Sequence, residues 1–103
     1  MNAKEVAALV EIEIGDRWGQ SNAHGVDLCS CIMMPEKKTY TNWNGIGTID
    51  LWLVLEEDPK DRKGYKIVFD ETKREFGLAI TQKNGPDFFL GFYGTFMDTL
   101  ESM

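Results

Sequence analysis

The hydrophobic positions change period twice along the chain. In "NAKEVAALVEIEI", Val6, Leu9, Val10 and Ile14 recur at the spacing of one helix face, and Trp18 continues the stripe. Asn2 offers an N-cap with Glu5 three residues on, the spacing of a capping box, and Gly15 and Gly19 each offer a C-cap. These signals predict an N-terminal helix, although "EIEI" taken alone also alternates as a strand does. From Val26 the period shortens to two. "VDLCSCIMM" reads as a strand stopped by Pro35. "KTYTNWNGIGTIDLWLVLEE" places Asn44 and Gly45, which both tolerate positive φ, between two strand-like runs, the signal of a hairpin. The loops "DPKDRKG", "ETKR" and "KNGP" then separate the runs "YKIVFD", "EFGLAITQ" and "DFFLGFY". No connection is long enough for a helical crossover, so neighbouring strands should pair antiparallel. Gly94 ends the last run, and Thr95 with Asp98 repeats the capping spacing ahead of Phe96, Leu100 and Met103. The prediction is α+β: a single domain over residues 1–103, an antiparallel β-meander of about five to six strands between an N-terminal helix and a short C-terminal helix.

With strict alternation, one face collects Ile49, Leu51, Leu53, Leu55, Tyr65, Ile67, Phe69, Phe76, Leu78, Ile80, Phe88, Leu90 and Phe92, a main core beneath the helices. The other collects Trp52, Val68, Phe89 and Tyr93 around Gly77, Ala79 and Gly91, with Asp50, Glu56, Lys66 and Asp70 toward strand ends. Such a face is open to three readings. It is covered by the N-terminal helix or by residues 35–47, it is a protein interface, or it is a shallow ligand hollow. Its candidate partner- or ligand-binding residues are Trp52, Phe89, Tyr93, Asp50 and Lys66. On this reading Phe92→Ala is the damaging substitution, and Phe89 and Tyr93 tolerate truncation.

Charge narrows the partners. Eleven basic and seventeen acidic residues give a net charge of −6, which opposes nucleic acid and anionic membranes and favours a basic partner. No apolar run approaches the ~18 residues of a membrane span, and "MNAKEVAALVEIEI" carries acids where a signal peptide would be apolar. A cytoplasmic location is the expectation. Cys29 and Cys31 are too few and too close for a disulfide framework, which agrees with it.

The densest chemistry is "HGVDLCSC". His24, Asp27, Cys29 and Cys31 are all metal-ligand types, but their spacing departs from zinc sites and no second ligand pair follows. A Cys29 nucleophile paired with His24 lacks a basic neighbour to favour the thiolate. The acids of "LEEDPKD" read as a solvated loop, and the glycines of "NGIGTID" lie inside a hairpin instead of opening a helix. No catalytic residue, metal or cofactor is predicted.

The order helix, antiparallel sheet, short helix in an acidic chain of this size is similar in architecture to small bacterial immunity and adaptor proteins. That likeness implies a non-catalytic protein-interaction domain whose partner is a basic toxin or effector, with a homodimer as another form of the same surface. The alternative is a small-ligand-binding domain or minor enzyme using the apolar hollow. Asp50, Lys66 or the residues around His24 would then supply its polar contacts.

Overall fold

The computed structural model describes residues 1–20, 25–83 and 85–103, so His24 and Asn84 lie outside the described residues. Helix α1 is Ala3–Ile14. The Asn2 side chain accepts from the Glu5 amide at 2.9 Å, and the Glu5 carboxylate accepts from the Asn2 amide at 3.0 Å, completing the capping box. Gly15, at φ 60, caps the other end, and the Arg17 guanidinium donates to the carbonyls of Glu13 and Ile14. Val6, Val10 and Ile14 are buried, as the stripe predicts.

The run "VDLCSCIMM" departs from its prediction. Leu28–Cys31 forms a one-turn helix, α2, because the Asp27 carboxylate accepts from the Cys29 amide and the Ser30 hydroxyl and so caps a turn. Strand β1, Ile32–Asn42, then runs through Pro35. Its register shifts between Ile32 and Glu36, and such an irregularity tolerates a residue with no N–H to donate. Strands β2 (Thr48–Asp58), β3 (Lys63–Asp70), β4 (Glu75–Ile80) and β5 (Phe88–Gly94) follow, and α3 is Phe96–Ser102 with Thr95 as its N-cap. The fold is thus an N-terminal helix, a five-stranded antiparallel meander and a short C-terminal helix. The hairpin at Asn44–Gly45 joins β1 to β2.

The sheet also closes on itself. Thr41 and Asn42 of β1 pair in parallel with Phe88 and Phe89 of β5, making a barrel. The α helices cover its outer face, where Val6, Val10, Ile14, Phe96 and Leu100 pack on Ile67, Phe69, Phe76 and Leu78. The Phe69, Phe76 and Phe96 rings follow one another at centroid separations of 4.7 and 5.6 Å. A second cluster, Tyr40, Leu51, Leu53, Val68, Ala79 and Phe89, contains no helix residue; the curled strands bury it inside the barrel.

Strict alternation fails along β2 and again where β4 meets β5. A register shift between Leu53 and Leu55 turns Leu51 and Leu53 inward while Trp52 and Leu55 join the helix-covered core. Shifts along β4 and β5 pair Gly77 with Phe92 and Ala79 with Phe89, so Phe92 packs with the barrel interior and not beneath the helices. Ile49 also packs with the interior.

Candidate functional site

The barrel interior becomes polar at one mouth. Glu56 of β2 stands opposite Lys66 of β3, and each is only 2% exposed. The Lys66 ammonium donates to Thr81 Oγ1 at 2.7 Å and to the Arg62 carbonyl at 3.2 Å, and pairs with Asp87 Oδ2 at 3.2 Å. The β4–β5 connection places Asp87: its carbonyl accepts from the Thr41 amide and its Oδ1 from the Gln82 amide. Arg62 comes from the β2–β3 turn. Its backbone is left-handed at φ 58 and its amide donates to the Asp58 carbonyl, while Asp58 Oδ1 accepts from Asp61. The guanidinium reaches Glu56 Oε1 at 2.8 Å and Glu36 Oε1 at 3.6 Å. The bond to Glu56, with the charge behind it, raises the Arg62 pKa further.

Tyr40 of β1 is 1% exposed and packs in the interior cluster, and its neighbour Thr41 is bonded to Asp87 of the mouth. Burial pushes its hydroxyl well above the ordinary tyrosine range, the carboxylates of Asp87, Glu56 and Glu36 push the same way, and Arg62 opposes them. Tyr40 is therefore a neutral phenol at neutral pH. Its hydroxyl, like Glu56 Oε2, is buried with no hydrogen-bond partner among the described residues. Buried polar atoms of that kind are rare in folded proteins. Among the described residues no three of His, Cys, Asp and Glu stand close enough to hold a metal ion.

A second feature is the β1–β2 tip. Trp43 and Ile46 are 70% and 75% exposed although both are large and apolar. The loop carrying them is tied: Asn42 Nδ2 donates to the Ile46 carbonyl at 3.0 Å, the Ile46 amide to Asn44 Oδ1 at 2.9 Å, and the Gly45 amide to the Asn42 carbonyl at 2.8 Å. In the sequence, the Asn44–Gly45 turn signal masks the Trp and Ile on either side of it.

The five residues drawn together from the sequence are dispersed. Trp52 is buried in the helix-covered core, where its indole N–H donates to Glu71 Oε1 at 3.2 Å. Phe89 is buried on the opposite face, in the barrel interior, 4.8 Å from the Phe92 ring. Tyr93 is 43% exposed beside the β5 irregularity. Asp50 is on the surface, accepting from the Thr39 hydroxyl at 2.6 Å, and Lys66 belongs to the mouth. The apolar hollow therefore does not assemble, because the β2 shift sends Trp52 to the other face. Of the metal-ligand types, Asp27 caps α2, Cys29 is exposed, and Cys31 is buried with its thiol toward the Glu57 carbonyl at 3.7 Å. Burial pushes the Cys31 thiol above its ordinary pKa. His24 lies outside the described residues.

A cavity of about 270 Å³ lies between α1, α3 and the β3–β4 turn, lined by Leu9, Glu13, Phe69, Arg74 and Phe76 among others. Glu13 Oε1 there accepts from the Phe96 amide at 2.9 Å, so it is committed to joining the two helices. No helix among the described residues is long and apolar enough to cross a membrane. Comparison with family models, curated proteins and solved structures gives no match to this chain.

Proposed function

We propose that the protein is a non-catalytic interaction domain, immunity- or adaptor-like, that binds a protein partner through the β1–β2 tip. The observation that carries this reading is the exposure of Trp43 and Ile46 on a hydrogen-bonded loop. A large aromatic side chain on a preorganised loop loses little entropy on binding and brings much apolar area, which is why tryptophan dominates interface hot spots. The net charge of −6 favours a basic partner, a toxin or effector, and disfavours nucleic acid. The reading places the protein in the cytoplasm, where the exposed thiol of Cys29 stays reduced. A homodimer through the same tip is the other form it takes.

The test compares affinity capture and sedimentation of the wild type with Trp43→Ala, Ile46→Ser and, as a surface aromatic elsewhere, Tyr93→Ala. The tip variants should lose the partner, or the dimer, while Tyr93→Ala keeps it. Identical captured proteins and identical sedimentation for all four would refute the reading.

A further inference from the structure

We propose that the polar mouth of the barrel binds a small primary ammonium ion, held between Glu56 Oε2 and the hydroxyl of Tyr40. The two oxygens are buried, and neither has a partner among the described residues. A carboxylate oxygen only accepts, and a phenol oxygen accepts as well as donates, so one group with two or more N–H donors satisfies both. The local charge selects a cation. The carboxylates of Glu36, Glu56 and Asp87 face the cations of Arg62 and Lys66, and one negative charge is left over. An anion is thereby disfavoured. A metal ion is disfavoured by the dispersion of the carboxylates, since hard cations require several oxygens at once and no such group stands among the described residues.

Glu56 is already arranged as a receptor for a nitrogen cation. Its other oxygen, Oε1, accepts two bonds from Arg62, at 2.8 and 2.9 Å, so the first cation occupies one oxygen and leaves the second without a partner among the described residues. Lys66 does not fill that place, because its ammonium is committed to Thr81, the Arg62 carbonyl and Asp87. The ligand must be small, since Leu53, Val68 and Ala79 fill the neighbouring interior without exposure. Arg62, whose side chain is 49% exposed and which bridges Glu56 to Glu36, borders this mouth on the solvent side.

The test is thermal unfolding at constant ionic strength in methylammonium, sodium and tetramethylammonium chlorides. Methylammonium should raise the melting temperature by roughly 4 to 8 °C at about five times its dissociation constant. Sodium, and tetramethylammonium with its charge but no N–H donor, should not. Glu56→Gln and Tyr40→Phe should each abolish the response. Tyr40→Phe removes only an unbonded hydroxyl from a ring that stays packed, so it tests the site even if Glu56→Gln does not fold. Equal melting temperatures in the three salts, or a methylammonium response that persists in Tyr40→Phe, would overturn the proposal.

Discussion

Gly77→Ala inserts one methyl group where the barrel has no room for it. A Cβ built on Gly77 falls well inside contact distance of the Gly91 carbonyl oxygen, 3.2 Å from its carbon and 2.8 Å from Cε1 of Phe89. Neither neighbour yields cheaply. The Gly91 carbonyl belongs to a strand fixed by the pairs Leu78–Gly91 and Gly77–Phe92, and the Phe89 ring is wedged against Phe92 in a filled interior. Restoring ordinary carbon contacts of about 3.5 Å requires β4 and β5 to part by several tenths of an ångström. Overpacking of that kind costs about 1 to 3 kcal/mol, and the rigid backbone neighbour puts this case at the upper end. The reduced freedom of the unfolded alanine chain offsets ~0.4 to 1 kcal/mol, leaving a loss of about 2 kcal/mol and roughly 10 °C in melting temperature. Urea unfolding of Gly77→Ala beside Gly19→Ala, where the added methyl meets nothing within 4 Å, measures the difference. Gly77→Ala within about 0.5 kcal/mol of the wild type would refute the described approach of the two strands.

Phe89→Ala should cost about 3 to 5 kcal/mol because the ring is buried in the barrel, whereas Tyr93→Ala should stay below about 1 kcal/mol; equal losses in chemical denaturation would contradict the assigned faces. Glu71 accepts from Lys37, the N-terminal ammonium and Trp52, which hold its pKa down to about 2 from 4.5. Its folded value is depressed, so its contribution to stability is present above pH 4.5 and is lost as the pH falls toward 2. Glu71→Gln should flatten the acid limb of the stability curve in that window, and acid limbs of equal slope would count against the cluster. A thiol reagent should modify Cys29 in the native protein and Cys31 only on unfolding, since one is exposed and the other buried with its pKa raised; two fast thiols would refute that placement.

The features legible in the sequence are those whose partners lie a few residues apart. Asn2 with Glu5, and Thr95 with Asp98, close on neighbouring amides, and the Asn44–Gly45 hairpin forms from its own turn residues. Asp27 shows the opposite hazard: its position before Leu28 supports a cap as readily as a ligand, and the cap forms. Strict alternation misassigns the two faces because one extra residue in a ladder reverses every side chain beyond it, and nothing in "LWLVLEE" or "FFLGFYG" announces where that residue falls. The mouth was half visible. Alternation places Glu56 and Lys66 together near strand ends, but Tyr40 in the polar run "KKTYTN" reads as a surface residue until β1 meets β5. Trp43 and Ile46 were hidden by the turn signal that surrounds them.

The barrel has a seam. Every neighbouring pair of strands is joined by a short connection except β1 and β5, which among the described residues pair only over Thr41–Phe88 and Asn42–Phe89. Four hairpins can form from local contacts, while the seam must close a long loop of chain and gains little pairing for it, so it should form last and part first. Parting leaves each hairpin intact but presents two unpaired strand edges, one bordered by Tyr40 and the other by Phe89, both apolar on the side that had faced inward. Edges of that character recruit each other between molecules. On warming, the route to aggregation then runs through pairing of the β1 edge of one copy with the β5 edge of another before any loss of the helices.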